Sequence, residues 1–190
     1  MKNNILHPDL PINLLNEINK IAIKEGIKNC YLVGGAVRDG IISKLPGAEQ
    51  NKLKDIDILI EGSAIKLANK IKSLFGPNRL EHIEIHESFN TAEIIVDGVN
   101  IDLASARTEI YPIPGENPII KLSEIDKDLA RRDFTINAMA IEISSKKLID
   151  LYQGQDSILK KELDFIHSKS VKEDPTRIIR AARYASRLKF

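Results

Sequence analysis

Residues 55–60 read Asp-Ile-Asp-Ile-Leu-Ile, and the organisation of the chain can be worked out from them. Acid and aliphatic side chains alternate, the pattern of a strand whose two faces meet different surroundings. On such a strand Asp55 and Asp57 point the same way, while Ile56 and Ile58 anchor the other face. Two carboxylates at that spacing repel each other unless a cation lies between them, and hard oxygen ligands suit Mg²⁺. A half-exposed strand with a polar face is the alternative reading. Asp102 shifts the balance, because Asn100-Ile101-Asp102-Leu103 gives it the same aliphatic flanks. A third strand-borne acid beside a metal pair can orient or deprotonate an attacking hydroxyl.

Upstream, the spacing of Leu14, Leu15, Ile18, Ile21 and Ala22 predicts an amphipathic helix over Leu10 to Glu25, stopped by Gly26. The run Tyr31-Leu32-Val33 predicts a short strand that ends in Gly34-Gly35, with a helix from Ala36 to Lys44 behind it. Glycines let backbone amides approach a ligand, and a helix N-terminus offers unpaired N–H groups, an arrangement that favours phosphate. Arg38 adds a fork of donors suited to phosphate oxygens. A tight strand-to-helix turn accounts for the same residues. Lys44 to Lys54, with Pro46 and Gly47, reads as a loop.

Downstream, Ser63 caps a helix running to Phe75. Strand patterns follow at Leu80 to Ile85, Thr91 to Val96 and Val99 to Ala104, with Asp97-Gly98 as a hairpin turn. Thr108 to Ser123 contains three prolines and a glycine and reads as a long mobile loop. A helix near Glu124 to Arg131 precedes Arg131-Arg132-Asp133 and Asn137, residues able to hold triphosphate and ribose hydroxyls or to form a salt-bridged helix surface. Ala138 to Ile143 and Leu148 to Leu151 read as paired strands. Asp174-Pro175 opens a final helix. At about 100° per residue, Arg180, Arg183 and Arg187 fall within about 60° of one another, with Arg177 to one side. Anion binding explains that cluster better than solvation does, and Ile178, Ala181, Ala182, Ala185 and Leu188 form the expected core face. His82, Glu84 and His86 share one strand face, a conceivable zinc constellation that a solvent-facing strand edge explains equally well.

The sum is an α/β chain of α+β type, with a mixed, partly antiparallel sheet flanked by helices. With 190 residues it has room for one domain and a small appendage, and 43% hydrophobic and 29% charged residues exclude a disordered tail or a fibrous repeat. The single cysteine, Cys30, cannot close an internal disulfide, which points to a reducing cytoplasm. No apolar run approaches the roughly 18–20 residues of a membrane span. The net charge of +1 gives no bulk sign of a nucleic-acid binder, but Asp174 to Phe190 carries five basic side chains against one acid.

Four ordered stretches carry a resemblance: LVGGAVRD at 32–39, DIDILIEG at 55–62, DLARRDFTINAMAIE at 128–142 and EDPTRIIRAARYASRL at 173–188. Together they resemble the class II tRNA nucleotidyltransferase and poly(A) polymerase family, within the polymerase-β-like nucleotidyltransferase superfamily. The resemblance implies a nucleotidyltransferase head over residues 1–150, with an N-terminal helix in 1–29, and the start of a helical neck, cut short, over 151–190. It implies Asp55 and Asp57 as ligands of two Mg²⁺ ions (Mn²⁺ substituting), and Asp102 as metal ligand or general base. Gly34, Gly35 and Arg38 correspond to the triphosphate cradle, and Arg131, Arg132, Asp133 and Asn137 to the ribose and phosphate motif. Asp174 and Arg177, followed by Arg180, correspond to the base reader.

That last role makes chemical sense, since a carboxylate accepts from cytosine N4 or adenine N6 and a guanidinium donates to the neighbouring ring nitrogen. GTP and UTP would set acceptor against acceptor. The implied reaction is template-independent transfer of AMP and/or CMP from ATP or CTP to an RNA 3′-hydroxyl, above all that of tRNA. A poly(A) polymerase on other RNAs and an inactive RNA- or nucleotide-binding relative are the alternatives. Three features depart from the family pattern: the insertion Leu45 to Lys54, Leu151 in place of proline, and Ser157 in place of an acid.

Overall fold

Aliphatic alternation along successive strands builds one seven-stranded sheet with helices on its better-covered face. The computed structural model describes residues 5–48 and 52–190; residues 49–51 of the expected insertion lie outside the described residues. In chain order the first elements are α1 (Ile12–Lys24), β1 (Cys30–Val33), α2 (Gly35–Ile42), β2 (Ile56–Ile60) and α3 (Ala64–Phe75). There follow β3 (Leu80–His86), β4 (Thr91–Val96), β5 (Val99–Ser105), β6 (Arg107–Ile110), β7 (Ile119–Leu122) and α4 (Ile125–Ala130). The chain ends with β8 (Met139–Glu142), β9 (Leu148–Asp150), α5 (Gly154–Lys160), α6 (Ser170–Glu173) and α7 (Thr176–Leu188).

Sheet order is β3-β4-β5-β2-β1-β8-β9. Neighbours run antiparallel except β2 and β5, which are parallel, so the expected mixed α+β architecture holds. Ile56, Ile58 and Ile60 of β2 join Ile94, Ile101 and Leu103 in the main core beneath α1, α2 and α3. Tyr31, Val33, Leu59 and Ala140 point to the opposite face, where Leu129 of α4 covers them. Those elements leave the β3–β4–β5 half of that second face carrying the polar, partly exposed side chains of Glu84, Glu93 and Asp102.

Local signals hold closely. Ser63 caps α3, its hydroxyl accepting from the Lys66 N–H at 3.2 Å. Asp97 and Gly98 both adopt positive φ, 51° and 74°, as a two-residue hairpin turn requires. Pro11 takes the cap position of α1, so that helix starts two residues later than its periodicity suggests.

Two expectations are corrected. Within Thr108 to Ser123 the chain forms much of a separate two-stranded hairpin, β6–β7, rather than a loop. The β-branched stretches at either end pair with each other, and the prolines and Gly115 are confined to the connection, which they can occupy without breaking a ladder. The other correction concerns α7. Ala181 and Leu188 do pack on the core, joined by Tyr184, but Ile178 and Ile179 are exposed, at 57% and 67%. Arg177 is the residue of α7 that is buried, so the helix turns part of its basic stripe inward and its isoleucines outward.

Ser157, where an acid was expected, is buried and accepts the Thr135 hydroxyl at 2.9 Å, tying α5 to the 135–137 turn. Next to it, a Cβ on Gly154 would come within 2.5 Å of the Thr135 carbonyl oxygen and 2.9 Å of the Met139 side chain. Gly154→Ala is therefore expected to cost about 1–3 kcal/mol of stability, read from the urea midpoint at constant m-value.

Candidate active site

Of the residues that the resemblance assigns to catalysis and nucleotide binding, all but Asp55 and Arg38 line one cavity of about 460 Å³; His82, Glu84, His86, Arg183 and Arg187 lie outside it. Its floor is set by the parallel pairing of β2 with β5, which places Asp57 directly beside Asp102. Burial raises the pKa of Asp57, and the charge of Asp55 adds to the effect; Arg132, the Gly35 backbone N–H and Arg38 oppose it. Asp102 is pushed up to about 6 by burial and then by Asp57, Glu93 and Asp55. Asp55 stands one residue before β2, exposed, and lines the adjoining groove, which it shares with Asp102. The three acids therefore feel one another although they do not share one cavity.

The glycine pair has a reason to be there. Gly34 sits at φ 62°, and a Cβ on it would lie 2.8 Å from Asp57 Oδ2. Only glycine satisfies both that backbone conformation and the close approach of the carboxylate. The N-terminus of α2 thus faces Asp57, where its amides and dipole favour negative charge.

Arg38 corrects an expectation. It is 2% exposed and does not reach the cavity. Its Nε donates to Asp39 at 2.8 Å and its Nη1 to Asn137 Oδ1 at 2.8 Å, and its guanidinium lies over the Tyr184 ring. A buried guanidinium needs partners for its donors, and these supply them, so Arg38 supports the cavity wall from behind. Asn137 passes the contact on, donating to Asp133 Oδ1 at 3.1 Å. Asp133 Oδ2 in turn accepts from Arg180 Nε at 2.7 Å.

Arg131 and Arg132 both line the cavity, and both are held by Asp128, a fully buried carboxylate. Its Oδ2 accepts from Arg131 Nη2 at 2.7 Å and its Oδ1 from Arg132 Nη2 at 3.1 Å. Glu109 of β6 adds a second anchor, accepting from Arg131 Nη1 at 2.8 Å. On the far wall Arg177 donates to Ser170 Oγ and, at 2.9 Å, to the Arg131 carbonyl, while its Nε lies 3.8 Å from Asp174 Oδ2. The Asp174 carboxylate also accepts from Thr176 N–H at 2.9 Å, fixing the start of α7.

Sequence reasoning missed Asp128, Glu109 and Tyr184 as parts of the site. The i,i+3 and i,i+4 spacing of Asp128 to Arg131 and Arg132 was a legible signal. Glu109 was hidden by the reading of its segment as a loop. Tyr184 meets Phe134 edge-on with ring centres 5.7 Å apart, a contact between segments fifty residues apart that no local pattern announces.

Residues 30–164 match the poly A polymerase head domain family. The chain belongs to that family. Within this head-domain family, the A-adding tRNA nucleotidyltransferase of Halalkalibacterium halodurans is 37% identical over 183 residues, covering 94% of this chain and 40% of the relative. The fold superposes on the solved apo form II of a CCA-adding enzyme with a TM-score of 0.80 at 36% identity, covering 94% of this chain and 40% of that one. Thermotoga maritima CCA-adding enzyme complexed with tRNA gives 0.76 at 34%, covering 98% and 40%. The chain therefore spans about two fifths of the length of these relatives. Among the described residues no helix is long and apolar enough to cross a membrane.

Asp102 has an ordinary value of 3.8 and a folded value of about 6, so the folded state holds that proton more tightly than the unfolded chain does. Its stabilising contribution is complete below pH 4 and is lost as pH rises through 6. Urea titrations without divalent cation should show this slope, and Asp102→Asn should flatten it. Asp128→Asn removes a buried partner of two arginines and should lower stability by about 3 kcal/mol in the same assay.

Proposed function

We propose that the chain transfers AMP or CMP from ATP or CTP to the 3′-hydroxyl of RNA, tRNA foremost, with release of pyrophosphate. The observation that carries this reading is the Asp57–Asp102 pair on the floor of a cavity whose rim holds Asp174 and Arg177. Names borne by the relatives, A-adding and CCA-adding, favour it. Residues 1–150 serve as the head, and 151–190 as a helical neck segment that contributes Asp174 and Arg177 to the cavity lining. The single, buried Cys30, whose thiol burial pushes up to about 12, suits a reducing cytoplasm.

The acids fit a divalent cation. They form an all-oxygen donor set, and burial together with mutual repulsion raises the pKa of both Asp57 and Asp102, negative charge that a hard dication offsets. Asp55 and Asp57 would hold Mg²⁺ or Mn²⁺, with Asp102 beside them. When bound, the metal lowers the pKa of the attacking hydroxyl and stabilises the departing pyrophosphate. Asp102, paired directly opposite Asp57 and lining the cavity, is placed to accept the proton of that hydroxyl. Arg132 supplies positive charge opposite Asp57, where the triphosphate must lie.

Base choice falls to the far wall. Asp174 accepts from the exocyclic amine of adenine or cytosine, and Arg177, steadied by Ser170 and the Arg131 carbonyl, donates to the ring nitrogen. A guanine or uracil leaves both groups mispaired, at about 1–3 kcal/mol each.

The test supplies ATP and CTP separately with tRNA lacking CCA, tRNA ending in CC and an unstructured oligomer, each with and without Mg²⁺. Metal-dependent incorporation into tRNA is expected; incorporation into the oligomer alone would make the chain a poly(A)-type polymerase instead. Asp57→Asn should abolish incorporation while melting cooperatively at or above the wild-type temperature, and retained activity would remove Asp57 from the chemistry. Arg177→Ala that still melts cooperatively should admit UTP and GTP about tenfold more readily, which is the loss of about 1.4 kcal/mol of discrimination. An unaltered nucleotide preference would exclude it as the reader.

A further inference from the structure

Across the open face of the sheet, four carboxylates stand in one lateral row. Glu84 pairs with Glu93, Glu93 with Asp102, and Asp102 with Asp57, each directly opposite its neighbour on the adjacent strand. Like charges in that relation are destabilising, so both ends of the row call for positive charge. At the inner end Arg132 supplies it. At the outer end, among the described residues, the ion pairs of Glu84 and Glu93 are with histidines alone. His86 Nε2 lies 3.5 Å from Glu93 Oε1 and 3.8 Å from Glu84 Oε1. His82 Nε2 lies 3.9 Å from Glu84 Oε2.

We propose that Glu84, His86 and Glu93 form a second metal site, separate from the cavity, for a borderline divalent cation of the zinc class. One ligand atom from each of the three lies within 4.8 Å of the other two. Tetrahedral zinc with ligands near 2.05 Å requires those atoms about 3.4 Å apart, so small side-chain rotations complete the chelate. The ligands stand on a paired antiparallel ladder, which fixes their relative positions before any metal arrives. An imidazole with two carboxylates selects zinc-like ions over Mg²⁺, which prefers oxygen alone. The three side chains are partly exposed, which leaves the fourth position to water and gives the ion a direct entry path. Glu84 and His86 have no role in the reaction proposed above; Glu93 faces Asp102 across β4–β5 and acts on it only through its charge, so metal binding here is tested apart from that reaction.

The test is calorimetric titration of chelator-treated protein with ZnCl₂, run on wild type, His86→Ala, Glu93→Gln and Asp57→Asn. A site tighter than millimolar is expected in wild type and is the one retained in Asp57→Asn, whatever zinc the cavity acids also take in wild type; it should be weakened about tenfold or more in His86→Ala and Glu93→Gln. Cobalt provides an independent readout: its visible absorption should report a nitrogen ligand in wild type and lose that signature in His86→Ala. Circular dichroism should show all variants folded. The proposal is overturned if His86→Ala binds zinc as wild type does, if wild-type binding is only millimolar, or if the site disappears in Asp57→Asn alone. Imidazole–carboxylate ion pairing would then account for the cluster.

Discussion

The parallel pairing of β2 with β5 brings Asp57 and Asp102 side by side on a partly buried face, and much of the surrounding structure answers the repulsion this creates. The aliphatic backs of the two strands hold the acids in place, because Ile56, Ile58, Ile101 and Leu103 are sealed beneath the helices. A strand slipped by one residue would put a carboxylate into that core, a cost far above the repulsion it relieved. Compensation therefore comes from elsewhere: the amide end of α2, made accessible by Gly34, and the guanidinium of Arg132.

Arg132 is in turn held by a chain of contacts that reaches the chain's last helix. Asp128 grips it together with Arg131; the Arg131 carbonyl receives Arg177; Arg180 of the same helix closes on Asp133. Behind the wall, Arg38 binds Asn137 and lies under Tyr184. Each arginine on this path has a carboxylate or carbonyl partner, so the guanidinium groups of the cavity wall are fixed in direction before any ligand arrives. The arrangement also explains why α7 presents isoleucines to the outside: its arginine and tyrosine positions are taken up by the head.

Much of this was legible in the residues. Period-two alternation in 55–60 and 99–104 reported the floor, because both strands have one sealed face and one polar one. The hairpin turn and the serine cap declared themselves through residues that have few other uses. Legibility failed where a residue's surroundings come from distant chain. Arg38 carries the right functional group for phosphate, yet its direction is set by Asn137, ninety-nine residues away. The amphipathic reading of α7 assumed that apolar means inward, whereas its inward face is shared between apolar contacts of Ala181, Tyr184 and Leu188 and polar contacts of Arg177 and Arg180. In 108–123 the prolines outweighed the β-branched flanks, and the hairpin carrying Glu109 was lost with them.

That hairpin is fastened unequally. At its base Glu109 binds both Arg107 and Arg131, while at its tip the Gly115 N–H reaches the Glu173 carbonyl at 3.1 Å. A charge-assisted, largely buried cluster outlasts a single backbone hydrogen bond worth about 1 kcal/mol. The hairpin is therefore anchored more firmly beside the arginines than at its tip, where it meets Glu173.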